Sequence, residues 1–342
     1  MNNVQKLARS GYTIDASALR RFDSRNDAFG QSPWEESSLG FDCHATSQQQ
    51  GSQAMSAERC VAEMALATAA KCLEGHLKNH FCGIGAGQDK TETPKGPKYG
   101  PMEDAGLNTA NVKMAAEKLG ADLVGICRAN RNWIFSHSRS GQEIELPPKY
   151  SWAVVMGIRM EPADIMDGDG PGAHMATMIG YMKMGVCVSA MSMFIRRLGY
   201  SAVAACNDTG LSIPLAVDAG LGEMGRHGLL ITPEFGPCVR ICKVFTDMPL
   251  KADKPVAFGV EGFCSNCRRC AEACQAGAIS LDKKPSFRTA CKCNNPGVQR
   301  WAVDVEKCFG FWYENGGSCS SCISACPFTM IGWERSDLPS SK

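Results

Sequence analysis

Eight cysteines in the last quarter of the chain have the types and spacing that most plainly imply chemistry. One run reads Cys264-x-x-Cys267-x-x-Cys270-x-x-x-Cys274; the second is Cys308 followed by Cys319-x-x-Cys322-x-x-x-Cys326-Pro327. Cysteines at two-residue gaps can wrap three corners of one iron–sulfur cubane, while a fourth, past a short turn, reaches the neighbouring cluster. On that logic Cys264, Cys267, Cys270 and Cys326 hold one [4Fe–4S] cluster, and Cys274, Cys308, Cys319 and Cys322 hold the second. Zinc also takes four thiolates, but zinc knuckles pair one C-x-x-C with another and have no use for the third closely spaced cysteine or the final Cys-Pro. Two features depart from a minimal ferredoxin. Gln275 stands where proline usually follows the first run, and FGFWYENGGS stretches the gap from Cys308 to Cys319. Cys291 and Cys293 lie between the runs, as an extra ligand pair or, on the simpler expectation, as packing or exposed thiols.

Two cubanes conduct single electrons, and most of the chain lies ahead of them. A large domain fused to such a wire usually holds the redox centre that does the chemistry. The chain has 342 residues, 44% of them hydrophobic, enough for a sizeable core. Its formal net charge is +1 without a long Lys/Arg run, so neither nucleic acid nor an anionic membrane surface is called for. The 19 cysteines are an odd number in a long chain, which argues against a secreted disulfide scaffold. Cys43, Cys60, Cys72, Cys82, Cys127, Cys187 and Cys206 are isolated in sequence and read as small buried hydrophobes. No apolar stretch follows Arg20-Arg21, so no export signal is readable and the chain reads as cytoplasmic as written. The longest apolar run, Met175 to Ile195, has Lys183 near its middle and reads as a buried core helix rather than a membrane span.

The elements that would position a redox centre follow from periodicity and punctuation. Residues 51–82 read as a helix with Ser56 as N-cap, and 83–105 as a Gly/Pro/Lys-rich loop whose GIGAG lacks the preceding strand of a dinucleotide site. Helices are expected over 108–119, 175–199 and 213–220, and strands over 121–128, 151–160, 200–206, 227–235 and 240–250. Residues 253–259 read as a linker. This alternation indicates an α/β or α+β sandwich around a mostly buried sheet.

Several long blocks resemble the corrinoid-dependent reductive dehalogenases: RFDSRNDAFG, FIRRLGYSAVAACND, IPLAVDAGLGEMGRHGLLITPEFGPCVRICKVFTDMPLKADKP, FCSNCRRCAEAC and KCFGFWYENGGSCSSCISACPF. The resemblance implies an α+β architecture in which a nitroreductase-like α/β sandwich binds cobalamin and precedes a ferredoxin-like two-cluster domain. The expected division is an N-terminal extension over 1–105 packing on the core, a catalytic domain over 106–255 and the cluster domain over 256–335. It implies removal of halide from an organohalide, with an external low-potential electron donor, a membrane anchor protein and a homodimer as partners. By position it also implies catalytic roles for Tyr181 as proton donor, Asn207 and Arg240. A phenol is a weak acid unless its conjugate base is stabilised, which a guanidinium does, and an amide donates a further hydrogen bond. Each residue also has an ordinary reading: a core tyrosine, a turn asparagine, a surface arginine.

Gly222, Gly225, Thr232, Phe235 and Gly236, in the glycine-rich GLGEMGRHGLLITPEFGP, are the expected corrin contacts, because glycine lets backbone approach a flat ligand. No D-x-H-x-x-G motif occurs, so a cobalt without a lower histidine ligand is expected. The methionine-rich stretch 156–193 reads as adaptable core or as a soft wall beside an apolar substrate, and Trp133, Trp152 and Phe235 as aromatics for such a pocket. Family members usually carry a twin-arginine signal, are exported folded and associate with the outer membrane face; they also continue past the last cysteine motif, and this chain departs in both respects. Two alternatives stand beside this reading: an epoxyqueuosine reductase-like enzyme, disfavoured by the missing basic patch, and a ferredoxin-type electron carrier without catalysis.

Overall fold

The computed structural model describes residues 4–6, 12–28, 57–82 and 99–329. Cys43, Ser56, the GIGAG segment and the residues after Thr329 lie outside them.

The centre is a four-stranded sheet in the order β3 (Leu123–Arg128), β4 (Trp152–Arg159), β8 (Val239–Thr246), β5 (Ala202–Ala205), with every neighbouring pair antiparallel. Alternation along the strands supplies two apolar faces. Ala153 and Val155 of β4, with Ile241 and Phe245 of β8, face one side, joined by Leu215 and Ala216 of helix α5 (Ser212–Asp218) and by Tyr12, Ile14 and Leu19 of the N-terminal segment. Val154, Met156 and Ile158, with Cys242 and Val244, face the other, against α2 (Ala105–Lys118) and α4 (Pro171–Arg197). The expected sandwich with a buried sheet is therefore present, as a mixed helix-and-sheet fold. The β-strands at 123–128, 152–159, 202–205 and 239–246 fall where β-branched and apolar residues cluster.

Helix α4 starts earlier than the apolar pattern suggested, because Pro171 occupies its first turn, where a missing N–H costs nothing. It ends at Gly199, which adopts a left-handed φ of +90°. By length and composition it could cross a membrane, yet it is packed inside the fold. Val188, Met191 and Ile195 are fully buried against the sheet, and Met175, Met178 and Met182 rest on Ala67 and Ala70 of α1 (Ala57–Phe81). The methionine stripe is thus adaptable core between two helices.

Other expectations need correction. Residues 227–235 are not one strand: β6 (Glu223–Met224) and β7 (Leu230–Ile231) form a short hairpin, and Pro233 and Gly236 then turn the chain back so that Thr232 bridges Gly236. The 253–259 segment has no helix or strand, as a linker should, but it is tied down at its start. Asp253 accepts from Lys113 Nζ at 2.7 Å and from the Ile126 backbone N–H at 2.8 Å. Trp133 is fully buried and donates to Asp218 at 2.9 Å, so it belongs to the core and not to a substrate pocket. Cys72 is exposed and Cys60 is disulfide-bonded, since isolation in sequence says nothing about neighbours in space. Cys82, Cys127, Cys187 and Cys206 are buried free thiols, as expected.

Candidate active site and cluster centres

Tyr181 lies nearly three turns into α4, Asn207 follows β5, and Arg240 is the second residue of β8; the fold brings the three together. The Tyr181 hydroxyl accepts from Asn207 Nδ2 at 3.1 Å and from Arg240 Nη1 at 3.5 Å. The guanidinium also lies over the tyrosine ring, 4.7 Å from its centroid, and its Nη2 is fixed by Thr177 Oγ1 at 3.0 Å. Thr177 and Tyr181 are one turn apart on α4, so one helix face orients both groups. Tyr181 and Arg240 are half-buried and Asn207 is exposed, so the cluster opens to solvent. Arg240 pairs with Ile158, whereas Trp152 pairs with Thr246 at the other end of the same strands. Six residues of strand separate the two ends by ~20 Å, which removes Trp152 from this site.

The turn presenting Asn207 is held from beneath. Lys243 is completely buried, and its Nζ donates to the Cys206 carbonyl and to Ser212 Oγ. Burial lowers the pKa of this ammonium below the ordinary lysine value. Asp208 accepts from the Cys206 N–H at 2.7 Å, and Thr209 follows with φ +68°. A β-branched residue in the left-handed region is strained and persists only where its surroundings impose it. Nothing in the sequence pattern marked Lys243; a lysine inside an apolar strand was the available signal.

The expected corrin contacts are placed differently from one another. Side-chain space at Gly222 is taken by the Ile231 carbonyl and at Gly225 by Ile231 and His227 side-chain atoms; at Gly236 (φ +53°) it is taken by the Phe328 carbonyl. Their glycine character therefore already has a reason in the close approach of the chain to itself. Thr232 is buried within its own turn, accepting from the Phe235 N–H at 3.0 Å, and Phe235 is half-buried below the Arg159 guanidinium. Two buried polar atoms lack protein partners, one in this segment and one in β8. Arg240 Nε and His227 Nε2 are both orphaned. His227 Nδ1 accepts from the Leu229 N–H and burial holds the ring's pKa down at about 4, so the lone proton sits on Nε2. Two buried donors lacking acceptors suit a cofactor bearing amide and phosphate oxygens, which is what a cobalamin offers.

The cysteine loops follow. Helix α6 (Val260–Asn266) carries Cys264, the short α7 (Arg269–Glu272) carries Cys270, α8 (Val305–Asn315) carries Cys308 and α9 (Ser321–Ser324) carries Cys322. Burial first, and neighbouring thiols second, push Cys270 and Cys326 up to about 12: Cys264 and Cys267 act on both, and Cys270 on Cys326. Burial likewise pushes Cys308 up to about 12, with Cys274 and Cys319 adding to it. Cys322 is raised well above the ordinary thiol value by burial, then by Cys308, Cys319, Cys270 and Cys274. The effects run among Cys264, Cys267, Cys270 and Cys326 and among Cys274, Cys308, Cys319 and Cys322, with Cys322 also sensing Cys270. Crowded thiols that disfavour ionisation invite cationic iron. A single ion does not fit: among the described residues, the tight three-donor group is Cys291, Cys293 and Glu306, not any set of these eight.

The cluster unit is bolted to the sandwich. Arg226, fully buried, donates to the carbonyls of Cys264, Cys267, Ser280 and Asp282 and stacks on Trp301. Glu223 accepts from the Phe258 and Val260 N–H groups. His174, held neutral with its pKa at about 4 by burial, accepts from the Ser318 N–H at 3.1 Å. Gln275, the odd residue of the first run, donates to Asp169 at 2.8 Å. His174 and Tyr181 lie on one helix seven residues apart, a rise of ~10 Å, so α4 links the second cluster loop to the tyrosine. Arg226 lay unnoticed inside the glycine-rich motif; an arginine among glycines and apolar residues was the missed signal.

The 4Fe–4S dicluster domain family matches residues 263–330. A tetrachloroethene reductive dehalogenase of Sulfurospirillum multivorans is 36% identical over 287 residues, covering 73% of this chain and 57% of that protein. One from Desulfitobacterium hafniense is 35% identical over 264 residues, covering 64% and 48%. The chain thus spans about half the length of these relatives. Among solved structures, the catabolic reductive dehalogenase NpRdhA superposes with a TM-score of 0.70 at 26% identity, over 96% of this chain and 44% of that one. A reductive dehalogenase structure described as suggesting a mechanism for B12-dependent dehalogenation gives 0.66 with the same coverage. Sequence and fold together make this chain a homologue of the reductive dehalogenases.

Proposed function

We propose that this chain is the catalytic core of a cobalamin-dependent reductive dehalogenase, catalysing R–X + 2e⁻ + H⁺ → R–H + X⁻ on an organohalide. The observation that carries the proposal is the convergence of Asn207 Nδ2 and Arg240 Nη1 on the Tyr181 hydroxyl. When bound, cobalamin supplies the low-potential electrons to the carbon–halogen bond. Arg240 Nε and His227 Nε2 are the donors available to hold it, with the backbone of the 222–236 segment beside them. The nitroreductase-like description of the sandwich and the division at about residues 105 and 255 belong to the same reading.

Tyr181 gives its proton to the carbon that loses halide. Two donors aimed at its oxygen offset the negative charge left there, and act most strongly where water is partly excluded. Arg240, anchored by Thr177, keeps the phenol oriented, and its charge also suits a departing halide. Cys274, Cys308, Cys319 and Cys322, all half-buried, would hold the cluster nearer solvent, and Cys264, Cys267, Cys270 and Cys326, three of them buried, would hold the inner one; the pair would supply single-electron conduction. Cys264 and Cys326 pack with Ile231 and Phe328, next to the 235–236 turn. An external low-potential donor, and a membrane anchor protein and homodimer of the kind the family implies, complete the reading.

The test is Tyr181→Phe in anaerobically purified, cofactor-replete protein with reductant and a panel of organohalides. Halide release is expected to fall by ~10²–10⁴-fold, the range for a lost general acid, with iron and corrinoid content unchanged. Full turnover by the variant would remove Tyr181 from the mechanism, and absence of corrinoid uptake by the wild type would leave only an electron carrier.

A further inference from the structure

Cys291 and Cys293 do not behave as packing thiols. Their sulfurs and a carboxylate oxygen of Glu306 all lie within 4.8 Å of one another, the spacing of donors around one small cation. Three segments build this spot. The first is the Cys291-Lys292-Cys293 loop. The second is the first turn of α8, which supplies Glu306 and is capped by Asp304, whose carboxylate accepts from the Lys307 N–H. The third is the N-terminal segment, whose Asp27 acts electrostatically on Cys293 while its own carboxylate is held by Arg139 at 2.9 Å.

The loop is shaped before any ion arrives. Asn294 is buried; its Oδ1 accepts from the Ala290 N–H at 3.0 Å, and its Nδ2 donates to the Val303 carbonyl at 2.9 Å and toward Cys291 Sγ at 3.6 Å. An N–H directed at a thiolate sulfur is the outer-shell contact that orients a metal ligand. Cys293 Sγ and Glu306 Oε1 are 4.0 Å apart, too long for a good hydrogen bond and short enough to share a metal. Two thiolates, a carboxylate and no imidazole are a borderline-soft donor set that suits zinc over magnesium or calcium. The eight cluster cysteines are already accounted for, so this pair is not a spare corner of a cubane.

We propose that Cys291, Cys293 and Glu306 bind one zinc ion, with water in the fourth tetrahedral position. Zinc there ties the 290–295 loop to the first turn of the helix that carries Cys308, and so braces the outer cluster. The site is independent of the corrinoid reading and stands or falls separately from it.

The experiment measures zinc and iron by mass spectrometry in the full-length, cluster-loaded chain purified without oxygen, incubated with zinc and then desalted over a weak chelator. About one zinc beside about eight irons is expected. Cys291→Ser/Cys293→Ser is expected to lose zinc at least ~10-fold with iron retained, and Glu306→Gln to weaken zinc binding by ~10-fold or more. Because the double variant could fail to fold, zinc-edge X-ray absorption on the wild type provides a second readout: two sulfurs at about 2.3 Å and two oxygens at about 2.0–2.2 Å. A zinc shell of four sulfurs, zinc retained by the folded double variant, a wild type with under ~0.1 zinc per chain, or a Cys291–Cys293 disulfide in the anaerobic protein would each overturn the proposal.

Discussion

The sheet sandwich and the cysteine-bearing unit are held together by different physics. In the sandwich, Ala153, Val154, Val155 and Met156 are consecutive residues of β4 and all fully buried, so both faces of the strand contribute apolar burial. At roughly 1.5–3 kcal/mol for each large apolar side chain removed from water, that region has its own reason to fold. The cluster unit has short helices and small apolar groupings such as Cys270, Ala271 and Ile279, in which cysteines are as prominent as hydrocarbon. Its core is largely ligand atoms, and burial opposes the ionisation of six of the eight cysteines. The contrast teaches that one region is stabilised by its sequence alone and the other by the metal it holds.

Iron removal is the most severe way to break this comparison. Stripping the clusters with a chelator under reducing conditions is expected to accelerate amide exchange across 260–329 by ~100-fold or more. Amides of β4 and β8 should change less than ~3-fold. Equal loss of protection in both regions would show that the sandwich does not stand on its own core.

Arg226→Met attacks the bolt between them. It leaves the carbonyls of Cys264, Cys267 and Ser280 without their buried donor, while that of Asp282 keeps Trp301 Nε1. At ~1–3 kcal/mol for each unsatisfied group, and with partial relaxation, a loss of roughly 3–5 kcal/mol is expected. The iron–sulfur absorbance should bleach at a lower urea concentration than in the wild type, while the far-ultraviolet signal of the sandwich keeps its midpoint. Coincident shifts of both signals would mean a single cooperative unit.

The same contrast explains what could be read from the sequence. The strands at 123–128 and 152–159 and the long helix were legible because their apolar periodicity is what buries them. The two-cluster unit was legible because ligand spacing along the chain is itself the constraint. Residues 227–235 misled because LLIT looks like a strand, while Pro233 and the bridge from Thr232 to Gly236 turn the chain at once. The glycines at 222, 225 and 236 suggested a ligand, whereas the chain itself fills the space beside them. Arg226 and Lys243 stand out locally as charges among apolar residues and Cys291 and Cys293 as a close pair, but their partners come from other segments, which no local pattern encodes.

The smallest expected effect lies inside the self-stabilised region, at Thr209. Its φ of +68° is costly for a β-branched residue and free for glycine. Thr209→Gly surrenders a 3.1 Å hydrogen bond to Asp208 and a buried methyl group, and gains relief of backbone strain. These terms nearly cancel, so chemical denaturation should move by no more than ~1 kcal/mol in either direction. Turnover should respond more than stability does. The turn holds Asn207 against Tyr181, and a glycine there widens the range of positions the amide explores, so halide release is expected to drop several-fold with cofactor content unchanged. Stability held within that limit together with a drop in rate would assign the strain to presenting Asn207. A variant with unaltered turnover would make the strained turn a matter of packing alone, and the sandwich would then owe nothing of its local geometry to chemistry.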